Sequence, residues 1–103
     1  MLIVLDTESG KQIAQVEGVE GIDDLWYDAE RDRIYASGGR GAAAGFVYVY
    51  QQNDANRYQL IAKTPTRANA QTSIWVPQLN RYYVSASAND KEDAAILVFE
   101  PQP

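Results

Sequence analysis

The sequence predicts an all-β chain, and three observations carry that expectation. Short runs rich in β-branched and aromatic residues recur along it, among them LIVL, DLWYD, FVYVY and AAILVF. Clusters of Gly, Asp, Asn, Ser and Pro separate these runs at turn-like spacing. The chain also matches itself when shifted by 48 or 49 residues: Trp26 meets Trp75 and Tyr50 meets Phe99 at 49, while Tyr35 meets Tyr83 and Lys11–Val16 meets Gln59–Thr64 at 48.

Taken in order, Leu2–Leu5 and Lys11–Glu17 read as two strands joined by DTESG as a hairpin. GVEGI then connects to a third strand at Asp24–Asp28, apolar on both sides and so expected to be covered on both. DAERDR is too short and too charged for a helix and reads as a turn into a fourth strand, Arg33–Ser37. GGRGAAAG reads as a flexible link, its glycines open to backbone angles other residues avoid. FVYVY, Phe46–Tyr50, is the fifth strand, and QQNDANR reads as a polar turn. Tyr58–Lys63 follows as the sixth strand, with Pro65 expected to end it by withholding a ladder donor. Thr72–Val76 and Arg81–Ser87 pair across PQLN, and Ala94–Phe99 is the last strand after the polar loop ANDKED.

Size and composition bound the function. A chain of 103 residues is one domain at most. With 46% hydrophobic residues it is composed like a folded protein, and a mean hydropathy of −0.38 suits short strands between polar turns. The formal charge of −5, with nine scattered basic residues, argues against nucleic-acid binding. There is no Cys and no His, which removes thiolate chemistry, imidazole bases and the commonest zinc ligands. No signal peptide is visible and no apolar run approaches the ~20 residues that span a bilayer, so no membrane partner is expected.

A period in the forties with four strands per unit is the pattern of propeller blades, small twisted sheets that bury their faces by stacking on neighbours. In that frame residues 1–17 are the outer two strands of a partial blade, 23–64 a complete blade and 72–100 three strands of a third. LIVLDTESGK at Leu2–Lys11, with DDLWYDAERDRIYASGG after it, resembles YVTN-repeat propellers of the YncE-like group. The likeness covers essentially the whole chain, and one departure is the Arg40–Ala44 insertion between the second and third strands. It implies a several-bladed ring, commonly in an exported, extracytoplasmic protein. One full and two partial blades cannot close a ring, which takes about 4–8. The expected partners are therefore the remaining blades of a longer chain or further copies of this one. A small β-sandwich is the alternative fold.

Candidate site residues sit in the connections that a propeller gathers on one face: 18–23, 37–45, 64–71 and 87–93. Asp23 and Asp24 could hold a hard cation or act in acid–base chemistry; otherwise one caps its loop and the other is solvated. Arg40 and Arg67 could clamp an anionic ligand, or stand free in water. Trp26 and Trp75 read as packing residues in equivalent places, and Ser37 and Ser85 have no visible base. No catalytic group, metal site or cofactor is expected. The function expected is a non-catalytic scaffold for an unknown protein or small-molecule ligand. Its alternatives are a wall segment of a lactonase-like or quinoprotein-like propeller enzyme and a self-assembling blade module.

Overall fold

The strand-forming runs fold into three antiparallel sheets. A computed structural model of the chain describes residues 1–18, 21–39 and 44–103, and among these there is no helix. The first sheet pairs β1 (Leu2–Leu5) with β2 (Gln12–Val16). The second runs β3 (Ile22–Asp28), β4 (Arg33–Gly38), β5 (Phe46–Asp54) and β6 (Arg57–Pro65). The third holds β7 (Ser73–Val76), β8 (Arg81–Ala86) and β9 (Ala95–Phe99). Within each sheet every strand pairs with its sequence neighbour, the arrangement short connections favour.

Several boundaries differ from the sequence expectation: β3 begins two residues early, at Ile22, and two differences fall at the β5–β6 hairpin. QQNDANR is mostly strand, because Gln51 and Gln52 pair with Gln59 and Tyr58, and the turn shrinks to Ala55–Asn56 between the paired Asp54 and Arg57. The Asp54 carboxylate holds that turn by accepting the Asn56 N–H at 2.9 Å. Pro65 does not stop β6 early; it is the strand's last residue, opposite Phe46. β6 is an edge strand, where a missing N–H costs no ladder bond.

The second sheet lies between the other two and packs against both. Leu25 and Tyr27 of β3 are each 47% exposed, however, so the expectation that Asp24–Asp28 is covered on both sides fails where, among the described residues, no strand of the first sheet lies opposite β3. Towards the first sheet it presents Ile34, Ala36, Tyr48 and Tyr50, which enclose Leu2 with Val16 beside it. Towards the third it presents Tyr35 and Val47, packed with Trp75, Tyr82 and Val84. The Tyr35 ring meets Trp75 edge-on at 5.2 Å and Tyr82 at 5.4 Å. Such aromatic pairs contribute about 0.5–1.5 kcal/mol beyond their buried area. β3 lies against β7, and β2 against β6, so first strands meet first strands and last meet last.

The internal repeat extends to backbone detail. Asp32 and Asn80, 48 residues apart, both take φ 53° in the turns after β3 and β7. The β1–β2 ladder slips between Val4 and Leu5 and skips Ile13, and the β5–β6 ladder slips between Val49 and Tyr50 and skips Ile61. Ile13 and Ile61 are again 48 apart, so the same bulge recurs.

The ladders correct one pairing of the self-alignment. Tyr27 opposes Ile34 as Trp75 opposes Tyr82, and Trp26 opposes Tyr35 as Ile74 opposes Tyr83. The counterpart of Trp75 is therefore Tyr27, at 48, and not Trp26. A one-residue slip reverses facing. Trp26 and Trp75 accordingly enter the same interface from opposite sides, and Tyr35 and Tyr83 keep their correspondence.

Candidate functional site

β3 opens with a break in register: Ile22 pairs with Gly38 and Asp24 with Ser37, which leaves Asp23 as the extra residue. A bulge re-aims the side chains beside it. Both carboxylates now meet β7 and the residue before it. Asp24 Oδ2 accepts the Ser73 N–H at 2.8 Å, and Asp23 Oδ2 accepts the Thr72 hydroxyl at 3.3 Å. Each partner lies 49 residues along the chain, so the acidic pair joins one sheet to the next. Asp24 thus satisfies an N–H at the start of a strand whose Ser73–Trp75 face is buried from water.

Next to this pair runs a buried polar seam. Ser37 is fully buried and donates its hydroxyl to the Gln71 carbonyl at 2.6 Å. Each hydroxyl has one proton, so at the 2.7 Å contact between Ser37 and Ser73 the donor is Ser73. Tyr82 in turn donates to Ser73 at 2.8 Å, which gives a directed chain Tyr82, Ser73, Ser37, Gln71 C=O. Trp26 Nε1–H closes the seam on the Ser73 carbonyl at 3.1 Å. Burial pushes the Tyr82 phenol up, the Ser73 and Ser37 hydrogen bonds oppose this, and the Asp24 charge adds to the rise. Among the described residues neither serine meets a general base, and the seam's chemistry is that of a lock between sheets.

Arg67 is likewise engaged. Its guanidinium bonds the Asp93 carbonyl at 2.7 Å and lies 3.1 Å from a Glu92 carboxylate oxygen, with its side chain only 15% exposed. It ties the loop after β6 to the loop before β9. The same face is drawn together at Gly45, which has no room for a side chain: a Cβ there would stand 1.8 Å from the Arg67 carbonyl oxygen. Thr66 N–H bonds Gly45 O at 2.8 Å, and Gly39 N–H bonds Gly21 O at 3.3 Å. Arg40 lies outside the described residues. Of the predicted site residues, Asp23, Asp24 and Arg67 are each held in contacts between loops or sheets. Among the described residues no three carboxylates converge in a way that would hold a metal ion.

Two features went unrecognised in the sequence. Asp28, in the charged turn segment, is 1% exposed; its carboxylate accepts the Tyr35 hydroxyl at 2.6 Å, the Arg31 guanidinium at 3.1 Å and the Glu30 N–H at 3.1 Å. Burial alone would raise its pKa, but the Tyr35 and Arg31 hydrogen bonds outweigh this and hold it below the usual carboxylate value. The second is a cleft of about 420 Å³ between β5 and β6 on one side and the end of β9 with the residues after it on the other, floored by Val47, Val49, Ala62 and Thr64 and walled by Tyr82, Phe99, Pro101 and Gln102. The cleft leaves no local sequence signal because it depends on packing between sheets, whereas Asp28 is engaged within its own hairpin by Glu30, Arg31 and Tyr35. Compared with protein families, curated proteins and solved structures, the chain finds no match.

Proposed function

We propose that the chain is part of a β-propeller-type scaffold, its three sheets successive blades, that serves as a non-catalytic framework for binding or assembly. The reading accords with the likeness to YVTN-repeat, YncE-like propellers. The observation that carries it is the recurrence of turn, bulge and facing at 48 to 49 residues, together with what that recurrence leaves uncovered at both ends. Ile74, Ile96 and Val98 are 48%, 61% and 56% exposed, in the places that Trp26, Val47 and Val49 hold in the second sheet, where the third sheet covers them. At the other end Ile3 and Leu5 are exposed in the places of Tyr48 and Tyr50, which the first sheet covers. Leu25 and Tyr27, counterparts of the buried Ser73 and Trp75, face the side where the first sheet has no inner strands among the described residues.

Each end therefore presents half of an interface that occurs complete inside the molecule. The partner that fits is another sheet of the same repeat, from a longer chain or a further copy. A ligand, protein or small molecule, would meet the loop face that Arg67 and Gly45 organise. Size-exclusion chromatography with light scattering tests the end faces. The 103-residue chain is expected to self-associate as concentration rises, and Ile96→Lys with Val98→Lys to shift it to monomer without lowering Tm. A wild-type chain that stays monomeric throughout, or a double variant that loses its fold, would overturn the reading.

A further inference from the structure

Tyr35 makes a hydrogen bond that the fold does not demand. Its hydroxyl donates to Asp28 Oδ2 at 2.6 Å, a length typical of an O–H on an ionised acceptor, in residues only 3% and 1% exposed. The third sheet makes the same hairpin without it. There Val76 and Leu79 stand in the places of Asp28 and Arg31, 48 residues on, and Val76 pairs with Arg81 as Asp28 pairs with Arg33. Other phenols donate to weaker or wetter acceptors: Tyr82 to a serine hydroxyl, Tyr50 to a backbone carbonyl and Tyr27 to the exposed Asp32. Among the described residues Tyr35 alone joins a buried phenol to a buried carboxylate. Its ring also meets Trp75 edge-on at 5.2 Å, and the half-buried Trp26 packs on the same cluster.

We propose that Tyr35 is a one-electron donor site, which gives an electron through the Trp75 ring to a radical oxidant of the carbonate-radical class at the surface, and its hydroxyl proton to Asp28. This goes beyond the scaffold reading and does not rest on it, since it needs only the interface between the second and third sheets. The oxidant takes one electron, the Tyr35 O–H bond breaks and the proton moves to Asp28 Oδ2. The products are a neutral phenoxyl radical, a neutral carboxylic acid and the reduced oxidant. Loss of an electron turns a phenol from a weak acid into a strong one, so even a carboxylate that Arg31 helps to hold at low pKa accepts its proton. Without that acceptor the buried ring would have to carry a charge that burial disfavours. The indoles meet the oxidant first, and the electron hole settles on Tyr35 because the proton transfer stabilises it there. A small one-electron reductant of the ascorbate class returns the electron over the same rings, and Asp28 returns the proton. The site thereby takes up oxidising equivalents that would otherwise modify the tryptophans of the interface.

Flash photolysis of the full 103-residue chain with a photogenerated ruthenium(III) polypyridyl oxidant tests this, read by transient absorption and electron paramagnetic resonance. A short-lived indole radical is expected to give way to a long-lived phenoxyl radical. Its rate of formation should not depend on buffer concentration, nor on pH from mildly acid to mildly alkaline, because the proton goes to Asp28 and not to solvent. The other charged groups at the pair, Arg31 and Arg33, are guanidiniums, which do not titrate in proteins. Tyr35→Phe should remove the long-lived radical. Asp28→Asn, which keeps an acceptor but not a base, should lower its yield at least tenfold, and Trp75→Phe should slow its formation at least tenfold, each with circular dichroism unchanged. Where a variant does not fold, the wild-type radical decides: double resonance should show one strongly coupled proton, the one held by Asp28, that is lost in deuterium oxide. A buffer-dependent rate, an equal yield in Asp28→Asn, an unchanged rate in Trp75→Phe, a long-lived radical that survives Tyr35→Phe, or no coupled proton would each overturn the site.

Discussion

Asp28 shows how much a single side chain holds. It is buried, yet ionised, because the Tyr35 hydroxyl, the Arg31 guanidinium and two turn N–H groups all point at it. Asp28→Ala would leave the Tyr35 hydroxyl buried without an acceptor, a loss of about 1–3 kcal/mol readable as a lower urea midpoint. The pH dependence follows from the direction of its shift. A carboxyl held below its unfolded value of about 3.9 contributes stability that is complete above that value and is lost as pH falls through the folded one. The stability difference between wild type and Asp28→Asn is therefore expected to shrink as pH is lowered from 5 towards 2, and a difference that grows would reject this account. Ser73 has a comparable position in the seam. Ser73→Ala removes the acceptor for Tyr82 and the donor to Ser37 together, at about 1–3 kcal/mol. In a double-mutant cycle with Ser37→Ala the two losses should be less than additive by 0.5 kcal/mol or more, as members of one chain of bonds couple.

Between strands, Gly45 and Arg67 fix the loop face. Gly45→Ala drives a methyl group into the Arg67 carbonyl, and since backbone must shift, the expected cost is about 1–3 kcal/mol in thermal or urea unfolding. Arg67→Ala has a different signature. The ion pair, with its Glu92 side 56% exposed, contributes little globally, but the loop it ties, 87–93, should exchange its amides faster while the β8 core does not. At this level the sequence was legible where physics is local. β-branched and aromatic runs between turn residues marked all nine described strands, and the hairpins follow from their short links. Facing was not legible, because bulges at Ile13, Ile61 and Asp23 each shift the alternation by one residue. Trp26 and Trp75 looked equivalent because the same residue type stands one position apart in two matching hairpins, and only the ladders show that they are opposed. Asp23 and Asp24 stood out as an acidic pair, but their partners lie 49 residues away and only the fold brings them together.

The three sheets are not equally well held, and their order of opening follows. The second and third share an aromatic interface, the Ser37–Ser73 seam and the Asp24 staple. The first sheet has two short strands, of whose residues Leu2 alone is buried, and is tied across by the Tyr50 hydroxyl, which donates to the Glu17 carbonyl at 3.2 Å. Burial of that phenol, with the neighbouring Tyr48 and Glu17, pushes its pKa up to about 12. Because the folded pKa is raised, the neutral hydroxyl contributes stability that is present below about 10 and lost as pH rises through about 12. Local unfolding begins where apolar contacts are fewest. The amides of β1 and β2 should therefore exchange at least tenfold faster than those of β4, β5 and β8 at neutral pH, a gap of about 1.4 kcal/mol in opening free energy. Tyr50→Phe should widen the gap while leaving Trp fluorescence unchanged, since both tryptophans report the other interface. Uniform protection across all nine strands would mean that the sheets open as one unit, and that the Tyr50 tie and the small first-sheet core are stronger than their contacts indicate.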